Sequence, residues 1–189
     1  YAVVDSFIHV VEQYLTYPVN AKVQDAFSEG LMRVIHEEGL KVLDHPNDYD
    51  IRANLMWAAT NALNVWIGQG VPQDWSSHRM GYSLTAQFGL DHAQTLAILL
   101  PGVMTYMFKE KQAKLARMGE VVFGITDGTE EERARKTIAA CEDFFRRMGL
   151  KTHLGECGIT EKDLDALAAP VDKQGWKLGE HQNIDSRVA

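Results

Sequence analysis

Apolar residues recur at spacings of three and four from Tyr1 to about Val171, and no stretch alternates apolar with polar residues as a strand would. A chain with only the helical period can pack only helix on helix. We therefore expect an all-α fold of about eight helices. Val4, Ile8, Val11 and Leu15 carry the first run, over 1–14, and Pro18 breaks it. The second run, over 21–43, uses Phe27, Leu31, Val34 and Ile35 and stops at His45-Pro46-Asn47-Asp48. The third, over 50–67, is apolar nearly all round (Leu55, Met56, Trp57, Ala58, Ala59, Ala62, Leu63), which predicts a helix buried at the centre of its domain.

Gly68, Gly70 and Pro72 then open a loop. A fourth helix is expected over 76–88, ended by Gly89, and a fifth from the cap Asp91 to about Phe108. Two more follow over 111–123 and 129–148, the latter opened by Thr129 and Glu132 at capping-box spacing. A weaker helix runs from Thr160 to about Val171. No repeat or low-complexity tract interrupts the chain, so residues 1–189 read as one domain.

Charge and spacing narrow the function. A formal net charge of −7 argues against a nucleic-acid partner, since phosphate binding needs a basic surface. The longest apolar run, 96–107, contains Pro101, Gly102, Thr105 and Tyr106 and is too short for a bilayer, so no membrane span is expected. Cys141 and Cys157 lack the spacing of a zinc ribbon or a disulfide framework and suit a reducing, cytoplasmic setting. The chain opens inside an amphipathic run with no initiator Met, so a piece of a longer protein is expected.

Four residues stand out as ligands: Asp5, His9, His78 and His92. Asp5 and His9 are four apart, so both project from one helix face, one turn from each other. That spacing also suits a hydrogen-bonded pair on a solvated face, the commoner reason for it. His78 and His92 would stand about 21 Å apart on one straight helix, but Gly89-Leu90-Asp91 supplies a break that lets the chain turn. A His just after a cap is also an ordinary surface residue. One carboxylate and three imidazoles suit Fe, Zn, Co or Ni. On chemistry alone this is an open question: an Asp-His₃ metal site, or polar positions of a helical bundle.

The flanks supply more. Val4-Asp5-Ser6-Phe7-Ile8-His9-Val10-Val11-Glu12-Gln13-Tyr14 resembles the first metal-ligand helix of iron-containing (group III) alcohol dehydrogenases. Ser77-His78-Arg79-Met80-Gly81-Tyr82, through Gly89-Leu90-Asp91-His92-Ala93, resembles that family's second metal segment. The similarity runs from Tyr1 to at least Leu154 and is nearest the NADPH-dependent butanol dehydrogenase and broad-range aldehyde reductase branch. It implies the helical C-terminal domain of the dehydroquinate synthase-like fold, with Asp5, His9, His78 and His92 holding Fe(II) or Zn(II). It also implies NADP or NAD as cofactor, a short-chain aldehyde or alcohol as substrate, and a homodimer or larger homo-oligomer. The family usually has a further His where Tyr82 stands, so Tyr82 is a candidate catalytic proton donor or a space filler. The family's glycine-rich phosphate-binding turn has no counterpart here, and its chain usually continues past Ala189. The isolated chain is thus expected to hold metal without dehydrogenase activity. The alternative is a non-enzymatic helical domain that binds metal or a partner.

The remaining candidates read blandly. His36 and His45 are expected to be solvated, and His153 and His181 to lie in loops of weak promise. Trp57, Trp66 and Trp75 are expected in the core, with pocket lining open to Trp66 and Trp75. The methionines are expected as core filler.

Overall fold

The computed structural model describes all residues 1–189. Its helices are α1 (Ala2–Tyr14), α2 (Lys22–Asp44), α3 (Tyr49–Ala62), α4 (Ser76–Phe88), α5 (His92–Tyr106), α6 (Phe108–Phe123), α7 (Glu130–Arg147) and α8 (Leu164–Lys173). There is no strand, only a single bridge between Leu178 and Ile184. The expected caps are present. Asp48 accepts from the Ile51 amide at 3.0 Å, and Asp91 accepts from that of Ala93 at 3.2 Å. Thr129 and Glu132 close a reciprocal capping box.

The hub is α1. Val4, Phe7, Ile8, Val10, Val11 and Tyr14 are buried among α2, α3, α5 and α7, and each such side chain contributes about 1.5–3 kcal/mol by leaving water. Phe7 meets Phe144 of α7 edge-on at 5.2 Å. Helices α6 and α7 form a hairpin across a short turn, and α5 supplies Leu96, Ala97, Leu100 and Met104 to the same core. A second, smaller core joins Val103 and Met107 to Val171, Leu178 and Ile184, fastening the C-terminal segment.

Three expectations fail. First, α3 is not central: it buries Ile51, Ala58 and Ala62 against α1 and α2 and leaves Met56 70% and Trp57 71% exposed. An all-round apolar pattern shows that a helix is meant to be covered, but not by what. Here the face away from α1 and α2 has no cover within this chain. Second, α3 ends at Ala62 rather than Ile67. Gln13 of α1 donates to the Ala62 carbonyl at 2.8 Å, taking an acceptor the helix would need, and Asn64 turns back to accept from the Trp66 amide at 3.1 Å. Trp66, expected in the core, is half exposed against Phe27. Third, His36 is not solvated. It sits edge-on between Phe123 and Phe144, where burial first, and then the charge of Arg147, hold its imidazole below the ordinary value.

The turn after α3 carries strain. Val65 adopts φ +65°, a left-handed conformation in which a β-branched residue clashes with its own backbone. Val65 is largely exposed, so its side chain has little packing to lose. Val65→Gly is expected to stabilise the chain by about 1 kcal/mol, because relief of about 1–2 kcal/mol outweighs glycine's extra chain entropy. Urea unfolding checks this; a destabilised variant would contradict it.

Candidate metal centre

Three helix segments converge on one point beside α1. Asp5, His9 and Glu12 rise along one face of that helix at successive turns. Loop 63–75 leads into α4, whose first turn carries His78, and Gly89 in the left-handed conformation (φ +65°) ends α4. Asp91 then starts α5 with His92 as its first residue. The close crossing of α4 and α5 depends on Gly81, where a Cβ would stand 2.6 Å from Thr95 Oγ1. That approach brings the His92 ring to 5.1 Å from the His78 ring, centre to centre.

A carboxylate oxygen of Asp5 and one ring nitrogen each of His78 and His92 lie within 4.8 Å of one another. Asp5 Oδ1 is 3.7 Å from His92 Nε2. His9 stands at the edge of this group, its ring centre 4.3 Å from that of His78. The His9 Nδ1–H donates to the Asp5 backbone carbonyl at 2.9 Å, leaving Nε2 as its open nitrogen. Nδ1 also lies 3.1 Å from Asp5 Oδ1, but it has one proton, and the carbonyl takes it.

Two atoms in this cluster are buried without any hydrogen-bond partner: Asp5 Oδ1 and His78 Nε2. Such orphans cost about 1–3 kcal/mol each, more when charged, unless something satisfies them. Together with the His92 nitrogen they form a carboxylate and imidazole donor set that fits a divalent cation. Burial favours the neutral acid at Asp5, but the adjacent His9, and then His92 and His78, outweigh it, and its carboxyl lies below the ordinary value. For His92, burial first and then the neighbouring imidazoles lower its affinity for a proton, although Asp5 opposes them. For His9, burial is outweighed by Asp5 and Glu12, and its affinity rises.

Other side chains frame the cluster. Trp75 stands edge-on to His9 at 5.8 Å and to His78 at 5.2 Å, so it lines the site rather than the core. Tyr82 is 52% exposed, and its ring lies parallel to that of His92 at 6.3 Å. Glu12 is fully buried, a residue the motif reading quoted but gave no role. Its Oε1 accepts from the Ser77 amide at 2.7 Å, and its Oε2 pairs with His78 Nδ1. The other histidines lie apart. His153 joins a surface cluster with Arg146 and Glu156, and His181 packs on Tyr17.

An all-helical domain that gathers one carboxylate and three imidazoles from three helix segments offers a donor set suited to a divalent cation. The family follows from comparison. The chain belongs to the Fe-containing alcohol dehydrogenase family, whose C-terminal family model matches residues 1–186. It is 49% identical over 188 residues to the NADPH-dependent aldehyde reductase YqhD of Escherichia coli, covering 99% of this chain and 49% of that protein. It is 39% identical to NADP-dependent alcohol dehydrogenase 3 of Entamoeba histolytica, covering 96% of this chain and 46% of the relative. The substrate- and cofactor-free structure of YqhD superposes with a TM-score of 0.96 at 48% identity, over 99% of this chain and 50% of that one. NADH-dependent butanol dehydrogenase A of Thermotoga maritima superposes with a TM-score of 0.90 at 29% identity, over 98% of this chain and 48% of that one. The chain thus spans about half the length of the relatives it matches.

Proposed function

We propose that this chain is the metal-holding half of an NAD(P)-dependent aldehyde reductase, acting reversibly on short-chain aldehydes and alcohols. Asp5, His9, His78 and His92 are its ligands for one Fe(II) or Zn(II). The observation that carries the reading is the pair of orphaned atoms, Asp5 Oδ1 and His78 Nε2, in one cluster with the His92 nitrogen. NADP is favoured over NAD because the relatives at 49% and 39% identity are named for NADPH and NADP.

When bound, the cation supplies Lewis-acid polarisation of a carbonyl oxygen and the nicotinamide supplies hydride. The chain's own residues do the rest. The ionised Asp5 offers the one anionic ligand, and the three imidazoles offer neutral nitrogens. Trp75 packs against His9 and His78 and keeps water from that side of the rings. Reduction of an aldehyde also consumes a proton. Tyr82 offers an exposed phenol beside His92, which can hydrogen-bond the alcohol oxygen and pass a proton in from solvent.

The setting follows the same reasoning. No helix is long and apolar enough to cross a membrane, and we place the protein in the cytoplasm on its two free thiols. The uncovered face of α3 suits a chain that is covered in its assembly, by the nucleotide-binding half of a longer protein within a homo-oligomer. Joined to such a half, the chain is expected to reduce short-chain aldehydes with NADPH. A chelator should abolish turnover, and Zn(II) or Fe(II) should restore it. The 189-residue chain alone is expected to give no turnover. Chelator-insensitive reduction, or turnover by the chain alone, would contradict the reading.

A further inference from the structure

We infer that Glu12 is the positioning residue of the metal centre: it fixes the orientation and tautomer of His78, so that Nε2 presents a bare lone pair to the cation. The inference rests on the metal reading above and adds a residue to it.

Glu12 lies on α1, the hub of the fold, amid Val10, Val11 and Tyr14, and is 3% exposed. An acid there is costly, and Leu or Met would fill the space without desolvating a charge. Its two oxygens are divided between two donors. Oε1 takes the Ser77 amide at 2.7 Å. Oε2 faces His78 Nδ1, and a carboxylate oxygen there can only accept, which puts the imidazole proton on Nδ1. An imidazole that donates from Nδ1 has its lone pair on Nε2, and Nε2 is the buried nitrogen of His78 left without a partner. Glu12 is also held in place itself, because its backbone carbonyl accepts from the Asp74 amide at 2.9 Å. A carboxylate behind a ligating histidine orients the ring and raises its basicity, and its loss lowers metal affinity by about 10- to 100-fold.

The rival role is structural: Glu12 could serve only to cap the start of α4 through Ser77. Glu12→Gln separates the two. The amide keeps the size and one acceptor oxygen, which can still serve Ser77. Its NH₂ then faces His78 Nδ1 as a donor, forcing the proton onto Nε2 and blocking the metal. The test titrates Zn(II) into wild type and Glu12→Gln against a competing chelator, and records the melting temperature of each without metal. A 10- to 100-fold loss of Zn(II) affinity, with metal-free melting nearly unchanged, is the expected result. Imidazole ¹⁵N spectra of the metal-free proteins should show the His78 proton on Nδ1 in wild type and on Nε2 in the variant. Wild-type affinity in the variant would overturn the inference and leave Glu12 as a cap. No Zn(II) binding by wild type would overturn the metal reading as well, so the two failures are distinct. Should Glu12→Gln not fold, Glu12→Asp, which withdraws the carboxylate by one methylene, is read in the same way.

Discussion

Replacing Lys111 with alanine is expected to destabilise the chain by about 3–5 kcal/mol, the cost of leaving buried acids without their cation. Lys111 lies on α6 and its side chain is 2% exposed. The ammonium meets Asp74 at 3.0 Å, Glu180 at 2.9 Å and the carbonyl of Leu15. It therefore ties together the end of α1, the loop that leads to His78, and the C-terminal segment. Two carboxylates share one cation. Burial opposes ionisation of Asp74, but Lys111 and the Ser76 hydrogen bond outweigh it and hold its carboxyl below the ordinary range. Glu180 is shifted up, by burial first and by the adjacent Asp74. Of the two acids that share the Lys111 ammonium, Asp74 therefore ionises more readily than Glu180. Urea unfolding of Lys111→Ala and of Lys111→Arg, which keeps the charge, checks the account. A change below about 1 kcal/mol for alanine would contradict it, because that is the range of exposed pairs.

His78→Ala is expected to lower aldehyde reduction about a thousandfold or more when the chain is joined to a nucleotide-binding half. Loss of Lewis-acid stabilisation removes several kcal/mol from the transition state, and each 1.36 kcal/mol is about tenfold in rate. The variant also strands Glu12, whose Oε2 then has no donor. Its metal-free stability should fall too, by about 1–3 kcal/mol. Asp5→Ala should lose the same rate without that penalty, since Asp5 Oδ1 has no hydrogen bond to lose. Steady-state rates and metal-free melting of both variants check this pattern. Rates within about tenfold of wild type would show that neither residue serves the reaction through a metal.

Helix existence was legible because periodicity is a local property of the chain. The caps at Asp91 and Thr129 were legible for the same reason, since a cap and its amide lie two or three residues apart. Partners distant in sequence were not. Glu180 is 69 residues from Lys111, and nothing near either position shows that they meet. The position of α3 was misread because its composition shows an apolar surface but not its neighbour. His36 was misread because its charged flanks, Glu37 and Glu38, hid the two phenylalanines that cover it. Spacing and flanks together singled out Asp5, His9, His78 and His92, and the structure brings these four side chains to one place. Glu12 was missed although a local signal existed. It falls on the same helical face as Asp5 and His9, a lone charge between Val11 and Tyr14. A buried acid one turn beyond a candidate ligand is worth reading as that ligand's neighbour.

The most direct test is metal content. The purified 189-residue chain is loaded with Zn(II), desalted and analysed by elemental mass spectrometry, beside the Asp5→Ala, His78→Ala double variant. Retention of about one equivalent by wild type, and loss of it in the variant, is the predicted result for a single site closed by protein ligands. No retained metal in wild type, or equal retention in both proteins, would contradict the assignment of these residues as ligands.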